Sequence, residues 1–145
     1  MSEAQLLLCV HAASTLFMVG LIWFVQVVHY PLFAVVPEEA YAAYQERHMA
    51  RTGWVVGPPM LLEAGSSLAL VWLADGLTRP ELAWLGLALL GLVWGATALF
   101  SVPAHTRLRD GFDAQAHRRL VATNWLRTLG WTARGAVAMT LLIGG

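Results

Sequence analysis

The chain has 145 residues, of which 58% are hydrophobic and only 12% charged, at a mean hydropathy of +0.60. Soluble domains carry about a quarter charged residues, so this composition excludes an ordinary soluble domain and points to a protein of the bilayer. Nine basic residues, every one an arginine, balance nine acidic ones to a formal net charge of +0, which excludes a nucleic-acid partner. The single cysteine, Cys9, excludes an internal disulfide.

A hydrocarbon core of roughly 30 Å needs about 20 apolar residues in helix. Residues 6–30 supply the first such stretch, and Pro31 is expected to close it. The N-terminus lacks a positive leader and a small-residue cleavage site, so this stretch is expected to be a permanent span. Residues 38–51 then place Tyr41, Tyr44, Gln45, His48 and Arg51 at helical spacing behind Pro37, Glu38 and Glu39, which predicts a short amphipathic helix lying on the membrane surface. Residues 54–74 form the second span, with Pro58 and Pro59 expected to bend it beside a cavity. A turn at 75–80 leads to a third span at 82–102, closed by Pro103, and a fourth follows at 120–143. The expected fold is all-α: one transmembrane domain, an integral membrane four-helix bundle with a surface helix between spans one and two.

Arginines set the orientation. Arg47, Arg51, Arg107, Arg109, Arg118 and Arg119 flank one side and Arg79 the other, so the first side is expected to be cytoplasmic. Both termini then lie outside a plasma membrane, the inner membrane of a bacterium.

Three charged residues, Glu63, Arg127 and Arg134, fall inside spans, where an isolated charge costs at least about 2.5–3.5 kcal/mol. At about 1.5 Å per residue, Glu63 and Arg127 lie roughly 13 and 10 Å from the arginine-rich face and are expected to meet. Arg134, roughly 20 Å deep, is level with Thr15 and within reach of His11. Asn124, Arg127, Thr128, Trp131 and Arg134 recur at spacings of three and four and share one helix face. His11, Thr15, Met18, Ile22, Gln26 and His29 do the same on the first span, Thr97, Ser101 and His105 on the third, and Glu63, Ser66 and Ser67 on the second. Buried polar side chains serve as interhelical glue worth about 0.6 kcal/mol a pair. Two arginines against one carboxylate exceed that need and leave a positive interior suited to a ligand's phenolate or carboxylate.

His29, His48 and His105 come to the arginine-rich end from three separate segments. Three imidazoles at a cavity mouth are a first set of ligands for zinc, copper or iron, or a contact for haem; capping of helix ends by hydrogen bonds is the plainer alternative.

Val102-Pro103-Ala104-His105-Thr106-Arg107-Leu108 and Asn124-Trp125-Leu126-Arg127-Thr128, with weaker similarity from Tyr44-Gln45 to His48, resemble the anthrone-oxygenase-like family of small four-span membrane proteins. That family more often has asparagine where this chain has His48 and His105. The resemblance implies a membrane oxygenase acting on polycyclic phenols, with Asn124 and Arg127 at the pocket. A fainter similarity, a histidine on the first span, is to the membrane protoporphyrinogen oxidase family; the lysine-bearing motif of that family is absent, and the similarity bears on haem alone.

The functional expectation is a membrane-embedded oxidoreductase or oxygenase for a hydrophobic aromatic or quinone-like substrate. Glu63 is expected to exchange a proton, with Arg127 and Asn124 beside it as catalytic groups. Gln26, Trp131, Arg134 and Arg51 are expected to hold the substrate, and His29, His48 and His105 a metal. The other readings are a proton-coupled transporter, which four spans would allow only as a homodimer, and a scaffold or assembly protein.

Overall fold

The computed structural model describes residues 2–144, which are helical almost throughout, with no strand among them. Helix α1, Glu3–Phe24, opens on a reciprocal cap: Gln5 N–H donates to Ser2 Oγ (3.2 Å) and Ser2 N–H to Gln5 Oε1 (2.9 Å).

Pro31 and Pro103 do not end their helices as expected. α1 widens into a π-helical turn, Val25–His29, and continues as the 3-10 turn Pro31–Val35. α3, Pro80–Ala96, widens likewise at Thr97–Ser101 and continues as α4, Val102–Leu108. In both places the residue before the proline reaches back five positions: Tyr30 N–H donates to Val25 O at 2.9 Å, and Val102 N–H to Thr97 O. A proline has no N–H to give and its ring collides with the carbonyl four residues back; a wider turn just ahead of it relieves both problems.

The expected surface helix and second span are also one element. α2 runs unbroken from Glu38 to Trp72, 35 residues, with Thr52 and Gly53 both inside the helix. At 1.5 Å per residue it is about 52 Å long, more than a roughly 30 Å hydrocarbon core can hold, so the 38–51 stretch extends beyond it. Pro58 and Pro59 lie within α2 and remove two amide donors without ending it.

α5, Ala114–Gly144, is the central helix, packed along α1 and α3, while α2 closes against α1 and α3. Asp113 caps it: Oδ1 accepts from the N–H groups of Gln115 (2.8 Å) and Ala116 (2.9 Å), and Oδ2 from Arg107 Nε (2.7 Å). The Ala116 N–H, then Arg107, hold this carboxyl below the usual carboxylate range. A group depressed in the folded state stabilises above its unfolded pKa and loses that contribution as pH falls through the folded value. Asp113→Asn should therefore flatten the drop in melting temperature between about pH 7 and about pH 3; an unchanged drop would assign the acid sensitivity to other groups.

The face of α5 carrying Asn124, Arg127, Thr128, Trp131 and Arg134 is buried, as its spacing predicts. So is Gly130, where α5 meets α3: a Cβ there would lie 2.5 Å from Val93 Cγ1 and 3.2 Å from Leu92 Cδ2. Val93 is fully buried and β-branched, so it cannot turn aside. We expect Gly130→Ala to cost about 1–3 kcal/mol in overpacking, outweighing roughly 1 kcal/mol of helix propensity gained. Gly91→Ala, in open space on α3, should gain that propensity and raise the melting temperature in detergent.

Three helical stretches, Glu3–Val35, Glu38–Trp72 and Pro80–Leu108, are long and apolar enough to cross a membrane. α5 is long enough, but Asn124, Arg127 and Arg134 lower its hydropathy. The exterior carries Phe24, Leu61, Trp72, Leu99 and Leu129 while Gln26, Gln45, Glu63, Asn124 and Arg134 are buried. Apolar outside and polar inside is the pattern of a chain surrounded by lipid.

Candidate functional site

The buried polar groups divide into two centres joined by Trp131. The first is closed. Arg134 Nε donates to Glu63 Oε1 at 2.8 Å, its Nη2 to Ser67 Oγ at 3.1 Å, and its Nη1 to the Gly86 carbonyl. Trp131 Nε1 donates to the other Glu63 oxygen at 3.0 Å. His11 Nδ1 and Ser66 Oγ share a bond of 2.9 Å nearby, which ties in α1. Glu63 and Arg134 are 0% and 1% exposed, so this ion pair is satisfied on both sides and shut off from solvent.

This corrects the expected pairing of Glu63 with Arg127. Arg127 and Arg134, seven residues apart on α5, share one face and differ by about 10 Å in level; the depth count put Glu63 beside Arg127, whereas the packing of α2 sets it level with Arg134. Glu63, Trp131 and Arg134 do not line the cavity described below, so their expected catalytic and substrate-holding roles have no support in the geometry.

The second centre is open on one side. Arg127 Nη1 donates to Asn124 Oδ1 at 2.9 Å and Ser101 Oγ at 3.3 Å, and its guanidinium stands 5.2 Å from the Trp131 ring centroid. Asn124 in turn donates to Gln26 Oε1 at 2.8 Å, and Gln26 Nε2 to the Val121 carbonyl at 3.2 Å. Gln26 and Ser101 belong to the two π-helical turns, so the wide turns present the groups that hold Arg127. Asn124 and Gln26 thus position Arg127.

Arg127 borders a cavity of about 220 Å³ between α1 and α2. Its walls are apolar, from Met18, Leu21, Ile22, Val25, Val55 and Val56, and its polar end is made by His29, Tyr30, His48, Arg51, Thr52 and Arg127. A second hollow shares His29, His48, Arg51 and Thr52 and extends past Tyr44 and Arg47 toward the start of α2.

The polar end contains a directed chain of hydrogen bonds. Gln45 Nε2 donates to His105 Nδ1 at 2.7 Å, so the ring carries its proton on Nε2 and gives it to the Tyr30 hydroxyl oxygen at 2.9 Å. The Tyr30 O–H is then free to donate into the cavity. Tyr30 was not singled out by the sequence; its only mark was its place before Pro31.

His29, His48 and His105 do gather here, as expected, and they are joined to one another and to their neighbours by hydrogen bonds. His29 Nε2 and His48 Nδ1 are hydrogen-bonded at 2.9 Å, closer than the roughly 3.3 Å between two nitrogens on one tetrahedral ion. Both His105 nitrogens face Gln45 and Tyr30, and the buried Phe33 ring stands edge-on among the histidines, 5.2 Å from His29 and 5.1 Å from His48. Among the described residues, no three His, Cys, Asp or Glu side chains form a group that could hold a metal ion.

Fold and site together define an all-helical chain with three helices able to cross a membrane and a mostly apolar cavity whose polar groups are two arginines, a tyrosine, a threonine and two histidines. No family model, no curated protein and no solved structure matches it.

Proposed function

We propose that the chain is a four-span protein of the bacterial inner membrane whose cavity takes a hydrophobic aromatic or quinone-like molecule and acts on it as an oxidoreductase or oxygenase, the activity implied by the resemblance of residues 102–108 and 124–128. The observation that carries this reading is the cavity itself, apolar along its length and polar at one end. α5 crosses as the fourth span because its charged face is turned inward and its outer face carries Leu126, Leu129 and Ile143. The arginine-rich end faces the cytoplasm.

Interconversion of a quinone and a hydroquinone moves two protons with two electrons. Tyr30, backed by His105 and Gln45, is the group placed to exchange a proton with an oxygen atom at the polar end. With dioxygen as oxidant, a hydroquinone gives up both electrons and both protons, leaving quinone and hydrogen peroxide. Glu63, bonded through both oxygens and away from the cavity, lends no support to a transporter that cycles its proton.

Purified protein in detergent should be stabilised by 1,4-naphthoquinone or 1-naphthol. At 100 times Kd the gain is about 2.7 kcal/mol, which for a chain of this size raises the melting temperature by about 5–10 °C. Val56→Trp, which fills the cavity, should remove the shift while leaving the apo protein folded, and Tyr30→Phe should slow aerobic oxidation of 1,4-naphthohydroquinone without removing binding. Absence of any shift with quinones and phenols would sink the reading.

A further inference from the structure

Resting on the reading that this cavity is a ligand site, we infer that its ligand is a monoanion, a carboxylate or phenolate, bound through its charged oxygen to Arg127 with its apolar body between α1 and α2. The chain buries two arginines and one carboxylate, and Arg134 takes the carboxylate. Arg127 is left 8% exposed with neutral partners only: an amide oxygen, a hydroxyl and an indole face. Its Nε is buried and has no hydrogen-bond partner among the described residues.

Nothing else at the cavity offsets this charge. The ionisable side chains that line it are His29, Tyr30, His48, Arg51 and Arg127, none of which is an anion near neutral pH. A buried guanidinium without a counter-charge is unfavourable, and it favours whatever anion can reach it. Tyr30, whose oxygen already accepts from His105, has its O–H left to give to the same oxygen of the ligand.

Shape narrows the class. The volume of about 220 Å³ is below the roughly 300–1,000 Å³ of pockets for drug-sized molecules. A one- or two-ring acid fits the part that Arg127 borders, and the adjoining hollow past Tyr44 and Arg47 continues it beyond His29 and His48. Phe24 and Val55 line the cavity and are exposed on the flanking helices, so the cavity meets the outer surface beside them, and Arg51 stands among its polar groups as a second cation to draw the acid group in.

The test uses four probes at one fixed detergent concentration: 1-naphthoate, its neutral counterpart 1-naphthalenemethanol, neutral 1,4-naphthoquinone, and dodecanoate. We expect 1-naphthoate to bind about 10- to 100-fold tighter than 1-naphthalenemethanol, the usual range for a hydrogen bond to a charged group. Arg127→Gln, which keeps a polar amide but removes the charge, should bring that ratio close to one, and comparison with the wild type cancels any difference in partition into micelles. Neutral probes that bind as tightly as 1-naphthoate would overturn the charge inference and leave the cavity reading standing. Dodecanoate equal to 1-naphthoate would uphold the charge inference and remove the aromatic class. Failure of all four probes would overturn both.

Discussion

Alanine in place of Glu63 should destabilise the folded protein by about 3–5 kcal/mol, the cost of removing one partner from a buried ion pair. The carboxylate accepts from Arg134 on one oxygen and Trp131 on the other, so alanine leaves a fully buried guanidinium with Ser67 and Gly86 but no counter-charge, and an indole N–H without an acceptor. Glu63→Gln keeps an oxygen acceptor but not the charge and should fall between. The decisive variant is the double replacement Glu63→Leu with Arg134→Met. Because well-packed apolar residues often replace a buried pair at little cost, the double variant should be far more stable than either single change predicts. Thermal melts in detergent would read this as a coupling of several kcal/mol. Additive losses in the double variant would mean that the pair is not the unit the geometry suggests. Coupling near 0.6 kcal/mol would place it with ordinary interhelical polar contacts.

The fold was largely legible because a helix in lipid writes its inner face in polar residues. The stripes on α1 and α5 follow spacings of three and four, and their members from His11 to Gln26 and from Asn124 to Arg134 are buried. The π-helical turns were not legible. Proline signals a break, and only the geometry around Val25 and Thr97 shows that a widened turn carries the helix past Pro31 and Pro103. The continuity of α2 was missed for a related reason: an amphipathic stretch followed by an apolar one, with Gly53 between them, reads as two elements, although the helix runs through that glycine.

The site was half legible. The burial of Glu63, Arg127 and Arg134 could be read from their places inside apolar stretches. The partners were not recoverable, because two arginines seven residues apart on one helix both face inward and only packing decides which of them meets Glu63. The histidines show the same limit. Convergence of His29, His48 and His105 follows from topology, but the 2.9 Å contact between two rings and the Phe33 ring among them do not.

Trp131 is the joint between the closed pair and the open arginine, and its replacement should separate packing from hydrogen bonding. It is fully buried, packs with Met18, Ile22, Leu90 and Val93, donates to Glu63, and offers a ring face to Arg127. Trp131→Ala should cost about 3–5 kcal/mol through lost burial and the cavity left behind. Trp131→Phe retains a ring and most of the contact and should cost about 1–3 kcal/mol, chiefly by leaving a Glu63 oxygen short of a donor. The two variants should also differ at Arg127. A phenyl ring still backs the guanidinium, so Trp131→Phe should keep the preference for 1-naphthoate over its alcohol, whereas Trp131→Ala, assayed well below its melting temperature, frees Arg127 to move and should weaken it. Equal melting temperatures for the two variants would show that the ring contributes little beyond its N–H, and equal acid preference would show that Asn124 and Ser101 alone hold Arg127 in place.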